Sequence, residues 1–226
     1  MVDRFDPELL RLYLVTDRVS AGTRTLADVV AACVQGGVSC VQLREKQQDT
    51  RDFLAHAMAL QQLLALHAIP LVINDRIDIA LACGAQGVHL GQSDMPVAHA
   101  RRLLPPHVFI GWSVETMHDV AQGAVLPLDY LGVSPIYATF TKTDTRAPWG
   151  LDGLRRVRAA SRLPLVAIGG IDAGNAREVL AAGADGLAVV SALCAAPDPR
   201  AAAAALRRII DANSSQRAVA REPKHV

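Results

Sequence analysis

The stretch PLVINDRIDIALACGAQGVHLG, residues 70–91, decides the predicted fold. A short β-branched run at 70–75 leads into a stretch of helical spacing and then into a second run at 87–91. Gly84 stands where the helix would end, and glycine at a helix C-terminus can adopt the left-handed conformation without a Cβ clash. The order strand, helix, strand is typical of two parallel strands joined by a crossover helix.

The same unit recurs along the whole chain, as eight short β-branched runs that alternate with eight Ala- and Leu-rich helical stretches. Eight units predict an α/β fold of the (β/α)8 TIM barrel type, with a doubly wound open sheet as the alternative. We expect one domain over residues 1–226, with flexible ends at about 1–8 and 215–226. The runs are RLYLVTD (11–17), CVQLRE (40–45), PLVIND (70–75), GVHLG (87–91), VFIGWSV (108–114), YLGVSPI (130–136), PLVAIGG (164–170) and GLAVVSAL (186–193).

Composition limits the classes of protein to which this chain can belong. The 226 residues are 51% hydrophobic, so a sizeable core can be buried, and 23 basic residues face 22 acidic ones. Such a balance favours neither nucleic acid nor an anionic membrane as a partner. The N-terminus lacks the apolar run of a signal peptide, and no segment reaches the ~20 apolar residues of a membrane span. We therefore expect a soluble cytoplasmic protein, with association of identical chains left open.

The four cysteines lack a CxxC spacing and lie in or beside apolar segments. Reduced, buried thiols are the expected state for such residues. They are Cys33, Cys40, Cys83 and Cys194.

Polar residues follow the predicted strands, which is where barrels of this type carry their chemistry. Several of them are also consistent with simpler structural roles. The cluster at 44–46 is consistent with a solvated strand end, and Asn74, Asp75 and Asp94 with helix N-caps. His89, inside an apolar strand, is interpreted as a hydrogen-bonded core histidine. The polar set comprises Gln42, Arg44, Glu45, Lys46, Asn74, Asp75, Asp94, Ser113, Thr139, Thr141, Lys142, Gly170, Val190 and Ser191.

Two kinds of ligand follow from these residue types. The GGIDAGN segment after the seventh run lets backbone approach a phosphate, helped by the N-terminus of the next helix and by Ser191. Asp75 and Asp94 lie at the ends of adjacent strands, and a carboxylate pair without soft ligands suits Mg²⁺. Arg44, Lys46 and Lys142 suit a second, more highly charged phosphate group. Two anion sites and one cation indicate transfer between two phosphorylated substrates.

Seven motifs in this order resemble the thiamine phosphate synthase family: LYLVTD, VQLREK, INDR, GVHLGQSDMP, SPIYATFTKTDTRAPWG, AIGGID and VVSAL. The resemblance extends from about residue 11 to 200. It implies a transferase that joins hydroxymethylpyrimidine diphosphate to thiazole phosphate, or to the carboxylated thiazole, and releases pyrophosphate. Mg²⁺ is the cofactor that the resemblance implies.

The resemblance also implies residue roles. The segment Gln42–Lys46 would hold the pyrimidine diphosphate through Gln42, Leu43, Arg44, Glu45 and Lys46, with Asn74 on the pyrimidine ring. Asp75 and Asp94 would bind the metal. Ser113 and Lys142 would serve the diphosphate and, with Arg44 and Lys46, act in catalysis. The thiazole phosphate would lie against Thr139, Thr141, Gly170, Val190 and Ser191.

The loop within residues 134–150 carries hydroxyls and one lysine rather than turn residues, and we interpret it as a lid that excludes water. The implied mechanism is dissociative. Pyrophosphate leaves, the electron-rich pyrimidine supports the resulting cation, and the thiazole nitrogen captures that cation. In this mechanism the protein accelerates the reaction by stabilising charge and by positioning the two substrates.

The chain departs from the family pattern in one segment, and three other functions are alternatives to the synthase. Trp112 and Glu115 stand where many relatives would place a smaller residue and often a histidine. A metal-independent thiazole tautomerase of the same fold is one rival, but Glu115 occupies the position at which that relative would place histidine. A non-catalytic protein that binds thiamine intermediates and a phosphosugar isomerase are the others. The isomerase would need an acid/base pair that the strand ends do not show.

Overall fold

Eight parallel strands close into a barrel in the computed structural model, which describes residues 5–139 and 146–221. Each strand pairs with the next along the chain, and β8 pairs with β1, where Leu12 lies beside Leu187. This closure confirms the predicted barrel and excludes the open sheet. The strands are β1 (Leu12–Val15), β2 (Cys40–Leu43), β3 (Leu71–Asn74), β4 (Gly87–Leu90), β5 (Phe109–Val114), β6 (Tyr130–Val133), β7 (Leu165–Ile168) and β8 (Gly186–Val189).

The described residues contain ten α-helical segments, two more than the sequence predicts. The additional ones are the short α1 and α9, in the loops after β1 and β8. The helices are α1 (Arg18–Ala21), α2 (Leu26–Gln35), α3 (Thr50–Ala65), α4 (Ile77–Cys83), α5 (Val97–Leu103), α6 (Met117–Gly123), α7 (Gly150–Ala160), α8 (Ala176–Ala181), α9 (Ser191–Cys194) and α10 (Pro199–Arg221).

The eighth predicted strand is too long by four residues. Residues 186–193 form one β-branched run, but Val190 has φ −113° and ψ −85°, which takes the backbone out of the extended conformation. Ser191 therefore begins α9 instead of continuing β8.

Regular structure is present near both ends of the described residues. A 3-10 turn spans Pro7–Leu10, and the Asp6 side chain accepts a hydrogen bond from the N–H of Glu8. At the other end α10 continues to Arg221, past the start of the predicted flexible tail.

Side chains along each strand alternate between two environments, because successive residues of a strand point to opposite faces. On β1, Leu12 and Leu14 belong to the large apolar cluster between the strands and the helices. Tyr13 and Val15 belong to a separate buried cluster that includes Tyr130 of β6. This second cluster fills the barrel interior beneath the strand ends.

Two further features concern the class of protein. No helix within 5–139 and 146–221 is long and apolar enough to cross a membrane.

All four cysteines are unpaired, and all but Cys83 are buried. Burial raises the pKa of the Cys33 thiol to about 12 and that of Cys194 to about 11. These thiols are therefore protonated at neutral pH.

Gly111 on β5 gives the first testable prediction. A Cβ on Gly111 would lie 2.0 Å from Cζ of Tyr130, whose ring is fully buried in the barrel interior. Gly111→Ala should lower the free energy of unfolding by about 1–3 kcal/mol, because the ring must move in a packed interior.

Gly174→Ala is the matched control, since an added Cβ there meets only the Asp172 carboxylate, at 3.1 Å. Denaturant titration compares the two variants with the parent. A Gly111→Ala protein as stable as the Gly174→Ala protein would contradict the packing described here.

Candidate active site

A cavity of about 270 Å³ lies where the strands end, and all eight strands contribute residues to its wall. Its floor is formed by side chains of the barrel interior, such as Tyr13 and Tyr130. Its rim is formed by the loops that follow the strands. This is the place at which barrels of this fold hold their active sites.

Most of the residues that the sequence singles out meet at this cavity. They come from seven different strands and the loops that follow them, so the closed barrel is what brings them together. Those that line the cavity are Gln42, Arg44, Lys46, Asn74, Asp75, Asp94, Ser113, Thr139, Gly170, Val190 and Ser191.

Two described residues of the predicted set, Leu43 and Glu45, do not line the cavity. Leu43 is fully buried on the other face of β2, in the cluster under the helices. The Glu45 side chain turns to Arg18. Both follow from strand alternation, which sends every second side chain away from the barrel interior. Thr141 and Lys142 lie outside the described residues, so their roles stay predictions.

The ends of β3 and β4 bring together two carboxylates and one ammonium group. Lys46 Nζ forms an ion pair with Asp75 Oδ2, and Asp94 Oδ2 accepts a hydrogen bond from Gly91 N at 2.6 Å. Burial raises the pKa of Asp94, and the adjacent Asp75 carboxyl raises it further. Two negative charges are therefore held close enough to oppose each other, with Lys46 as a partial counterion.

Backbone geometry holds Asp75 in this place. Its φ is +63°, in the left-handed region that aspartate tolerates better than most residues. The N–H of Asp75 donates to the carbonyl of His89 at 2.9 Å, which extends the pairing of β3 with β4 by one bond.

The helix-capping interpretation of these residues is wrong. Helix α4 begins after Arg76, and α5 begins after Pro96, and neither start has a side-chain cap. The Asp94 carboxylate turns back to Gly91 instead of forward to α5. Capping therefore does not explain why carboxylates occupy positions 75 and 94.

The donor set at this point fits a hard divalent cation. No group of three or more His, Cys, Asp or Glu side chains in the described parts of the chain forms a complete metal site. Mg²⁺, however, usually takes one or two carboxylates and completes its shell with water and substrate phosphate. A half-buried carboxylate whose charged form is opposed by a neighbour is a position that a cation would stabilise.

The loop after β2 is held from both sides. Thr16, which is buried, accepts a hydrogen bond from the N–H of Arg44 at 3.1 Å. On the outer side Arg18 Nη2 donates to Glu45 Oε1 at 3.0 Å and lies 3.4 Å from His56 Nδ1. These contacts fix the backbone from which Arg44 and Lys46 reach the cavity.

The GGIDAGN loop after β7 is stabilised by its own side chains. Asn175 Nδ2 donates to the carbonyl of Gly170 at 2.8 Å, and Asn175 Oδ1 accepts from the N–H of Asp172 at 3.0 Å. Gly170 has φ +64°, and a Cβ there would lie 2.8 Å from Cβ of Tyr137. Glycine is therefore required where this loop passes the loop after β6.

The ends of the loop after β6 are anchored by backbone hydrogen bonds. Tyr137 N donates to the Gly169 carbonyl at 3.1 Å, and Trp149 N donates to the Pro135 carbonyl at 2.8 Å. Glu115, which lines the cavity, has its carboxylate 3.9 Å from Nε of Arg146. The unusual residue at position 115 thus lies next to the far end of this loop.

Among the cavity residues that sequence reasoning missed are Thr16, Tyr13 and Tyr130. The signal for Tyr13 was present in LYLVTD, since it alternates with outward-facing leucines. His89, interpreted as a core histidine, has partners on both ring nitrogens, and it also lines the cavity.

Comparison with known proteins gives a consistent relationship. A family model described as thiamine monophosphate synthase matches residues 12–193. The chain is 78% identical over 205 residues to the thiamine-phosphate synthase of Albidiferax ferrireducens, covering 91% of this chain and 94% of that protein. It is 50% identical over 192 residues to that of Vibrio campbellii, covering 85% and 94%.

Solved structures agree with these relatives. A thiamine phosphate pyrophosphorylase from Pyrococcus furiosus superposes with a TM-score of 0.84 at 36% identity, covering 92% of this chain and 98% of that one. A 3-hexulose-6-phosphate synthase, at 19% identity and a TM-score of 0.65, shares the fold alone.

The opposed carboxylates lead to a prediction about stability. Because the pKa of Asp94 is raised in the folded protein, the fold loses stability as pH rises from the unfolded pKa through the folded one. At pH 7 without a divalent cation, Asp94→Asn should therefore raise the melting temperature. Adding Mg²⁺ should raise the melting temperature of the parent more than that of the variant.

Asp78→Asn is the matched control, for which the expected change in melting temperature has the opposite sign. The hydrogen bond from Arg76 lowers the pKa of Asp78, so its charge is favourable and the variant should melt lower. An Asp94→Asn protein that melts below the parent at pH 7 in chelator would show that the two carboxylates are not in conflict.

Proposed function

Because the chain belongs to the thiamine monophosphate synthase family and is a transferase that forms thiamine phosphate, we propose its substrates and mechanism. The substrates are hydroxymethylpyrimidine diphosphate and thiazole phosphate or the carboxylated thiazole. The products are thiamine phosphate and pyrophosphate, together with carbon dioxide when the thiazole carries the carboxyl group. The cavity at the strand ends is the proposed site of this reaction.

The observation that carries the proposal is an unused donor in the cavity wall. Asn74 is 6% exposed, and its Nδ2 is buried without an acceptor in the part of the chain that the structure describes. A buried donor left unpaired costs about 1–3 kcal/mol. A ring nitrogen of the aminopyrimidine is an acceptor that would satisfy it, one residue away from the carboxylate of Asp75.

The diphosphate is assigned to the basic side of the cavity. Arg44 and Lys46 reach it from the loop after β2, and Ser113 reaches it from β5. Lys142 is added by the family resemblance. Cations and a hydroxyl donor in the wall of one cavity are suited to a leaving group whose negative charge increases as its bond breaks.

Asp75 and Asp94 would hold Mg²⁺ next to this diphosphate. When bound, the ion supplies positive charge that neutralises the diphosphate oxygens and favours its departure. The support for this assignment is the carboxylate pair itself, because burial and the adjacent Asp75 carboxyl raise the pKa of Asp94 and Lys46 offsets that rise only in part.

The thiazole phosphate is assigned to the opposite side of the cavity. Gly170, Val190 and Ser191 bring backbone and one hydroxyl to the wall between β7 and β8. Thr139 lines the cavity next to them, and Thr141 joins them by resemblance. The separation of two anion sites across one cavity supports a reaction between two phosphorylated substrates.

The proposed chemistry needs no covalent nucleophile. The bond between the pyrimidine methylene carbon and the diphosphate oxygen breaks, and its electron pair leaves with pyrophosphate. Arg44, Lys46 and Lys142 stabilise the negative charge of that leaving group. The thiazole nitrogen then donates its lone pair to the methylene carbon, while the cavity wall keeps competing water away.

The first test of function is direct. Purified protein incubated with both substrates should form thiamine phosphate when Mg²⁺ or Mn²⁺ is present and not in excess chelator, because the donors are hard oxygens. Chromatography of the products gives the measurement. Full condensation activity in chelator would contradict the proposed metal requirement, and isomerisation of the carboxylated thiazole without condensation would favour the tautomerase instead.

The second test separates the two anion sites. Ser191→Ala should raise the KM for thiazole phosphate by about 10- to 100-fold, the value of a hydrogen bond to a charged group. It should leave the KM for pyrimidine diphosphate unchanged. Asn74→Leu should raise the KM for pyrimidine diphosphate and leave the KM for thiazole phosphate unchanged.

Ser215→Ala, on the exposed side of α10, is the control for loss of a serine hydroxyl and should change neither KM. If Ser191→Ala impaired only the pyrimidine diphosphate, the two sites would have to be exchanged.

A further inference from the structure

A chain of hydrogen bonds crosses the barrel interior beneath the cavity and ends at Ser113. Gln42 Nε2 donates to the Tyr13 hydroxyl at 2.9 Å, and that hydroxyl lies 3.1 Å from the hydroxyl of Tyr130. Tyr130 Oη lies 2.9 Å from His89 Nδ1, and His89 Nε2 lies 2.8 Å from Ser113 Oγ. Five side chains from five strands are thus joined in one line.

The barrel makes room for this chain at specific positions. A Cβ on Gly132 would lie 2.9 Å from Cε1 of His89, and one on Gly111 would overlap the Tyr130 ring. Tyr13 and Tyr130 are fully buried, and burial raises the pKa of both phenols, so each hydroxyl keeps its proton. Buried polar groups are hydrogen-bonded in native proteins, and here they bond to one another.

The chemistry of the donors fixes the direction of the chain. An amide nitrogen only donates, so Tyr13 accepts from Gln42 and passes its own proton to Tyr130. Tyr130 then donates to His89 Nδ1, which must carry a lone pair. In a neutral imidazole the proton is then on Nε2, which donates to Ser113 Oγ.

The Cys40 thiol is also within hydrogen-bond reach of Tyr13, and it does not change the direction of the chain. Sulfur is a weak acceptor compared with a phenol oxygen, so the Tyr13 proton is better placed on Tyr130.

We infer that His89 is a positioning residue that makes Ser113 a hydrogen-bond donor toward the cavity. Because Ser113 Oγ already accepts from His89, its own proton is directed elsewhere, and the cavity is where an acceptor would stand. With the opposite order Ser113 would donate to His89 and present lone pairs to the substrate. The order therefore decides whether this hydroxyl attracts or repels an anion.

This inference rests on the proposed function, in which Ser113 faces the diphosphate. It adds to that function a reason for the tyrosines and the histidine in the barrel interior, none of which needs to touch the diphosphate. A phosphoryl oxygen is the acceptor that the directed hydroxyl would serve.

Two matched substitutions separate positioning from packing. The amide of His89→Gln extends to about the place of Nε2 and can still donate to Ser113. The amide of His89→Asn ends near the place of Nδ1 and contacts Tyr130 alone. His89→Asn should lower kcat/KM for the pyrimidine diphosphate by about 10- to 100-fold, and His89→Gln should restore most of that loss. KM for thiazole phosphate should not change.

A double-mutant cycle gives the decisive result. In the Ser113→Ala background, His89→Asn should cause no further loss, because the hydroxyl that it orients is gone. An equal loss in both backgrounds would overturn the inference and leave His89 as a packing residue. Unchanged kinetics in Ser113→Ala alone would instead overturn the proposed role of Ser113, and with it the inference.

The tautomer can be measured without any substrate. Protein carrying ¹⁵N-labelled histidine should show His89 protonated on Nε2 and unprotonated on Nδ1, with the reverse pattern absent. A spectrum with the proton on Nδ1 would reverse the direction of the chain and overturn the inference even if every variant lost activity.

Discussion

Closure of eight parallel strands into one barrel is the constraint on which the site depends. Strands that close without an edge bring all their carboxyl ends to one rim, and the two-residue alternation sends every second side chain inward. Around β2, Gln42 and Arg44 face the cavity, whereas Glu45 faces α1. Neighbouring residues therefore have different roles, since one side chain faces the cavity and the next stabilises the loop.

The charges at the rim follow from that closure. Asp75 and Asp94 come from adjacent strands, so their carboxylates are held near each other whether or not a cation is present. Burial and mutual repulsion raise the pKa of Asp94, and Lys46 compensates only in part. In the proposed function, an arrangement that is unfavourable in the empty protein would become favourable when a cation and a diphosphate bind together, which would couple binding of the metal to binding of substrate.

The sequence predicted the closed barrel, and most of the site residues that it predicted line the cavity, because both depend on periodicity and on position at strand ends. It did not predict side-chain direction in the loops. Asp94 precedes a Pro and was therefore interpreted as a cap, yet its carboxylate turns back to Gly91. His89 was interpreted as a core residue, and its partners Tyr130 and Ser113 are 41 and 24 residues away in the chain. Contacts at such separation depend on strand register, which local patterns do not specify.

The central claim is that Asp75 and Asp94 bind one divalent cation next to the pyrimidine diphosphate, whose ring meets Asn74. Diffraction from crystals grown with Mn²⁺ and that substrate, at a wavelength where manganese scatters anomalously, tests it directly. The account predicts one anomalous peak coordinated by both carboxylates and by the diphosphate, with the Asn74 amide on the pyrimidine ring. Manganese bound away from both aspartates, with the diphosphate in another part of the cavity, would contradict it.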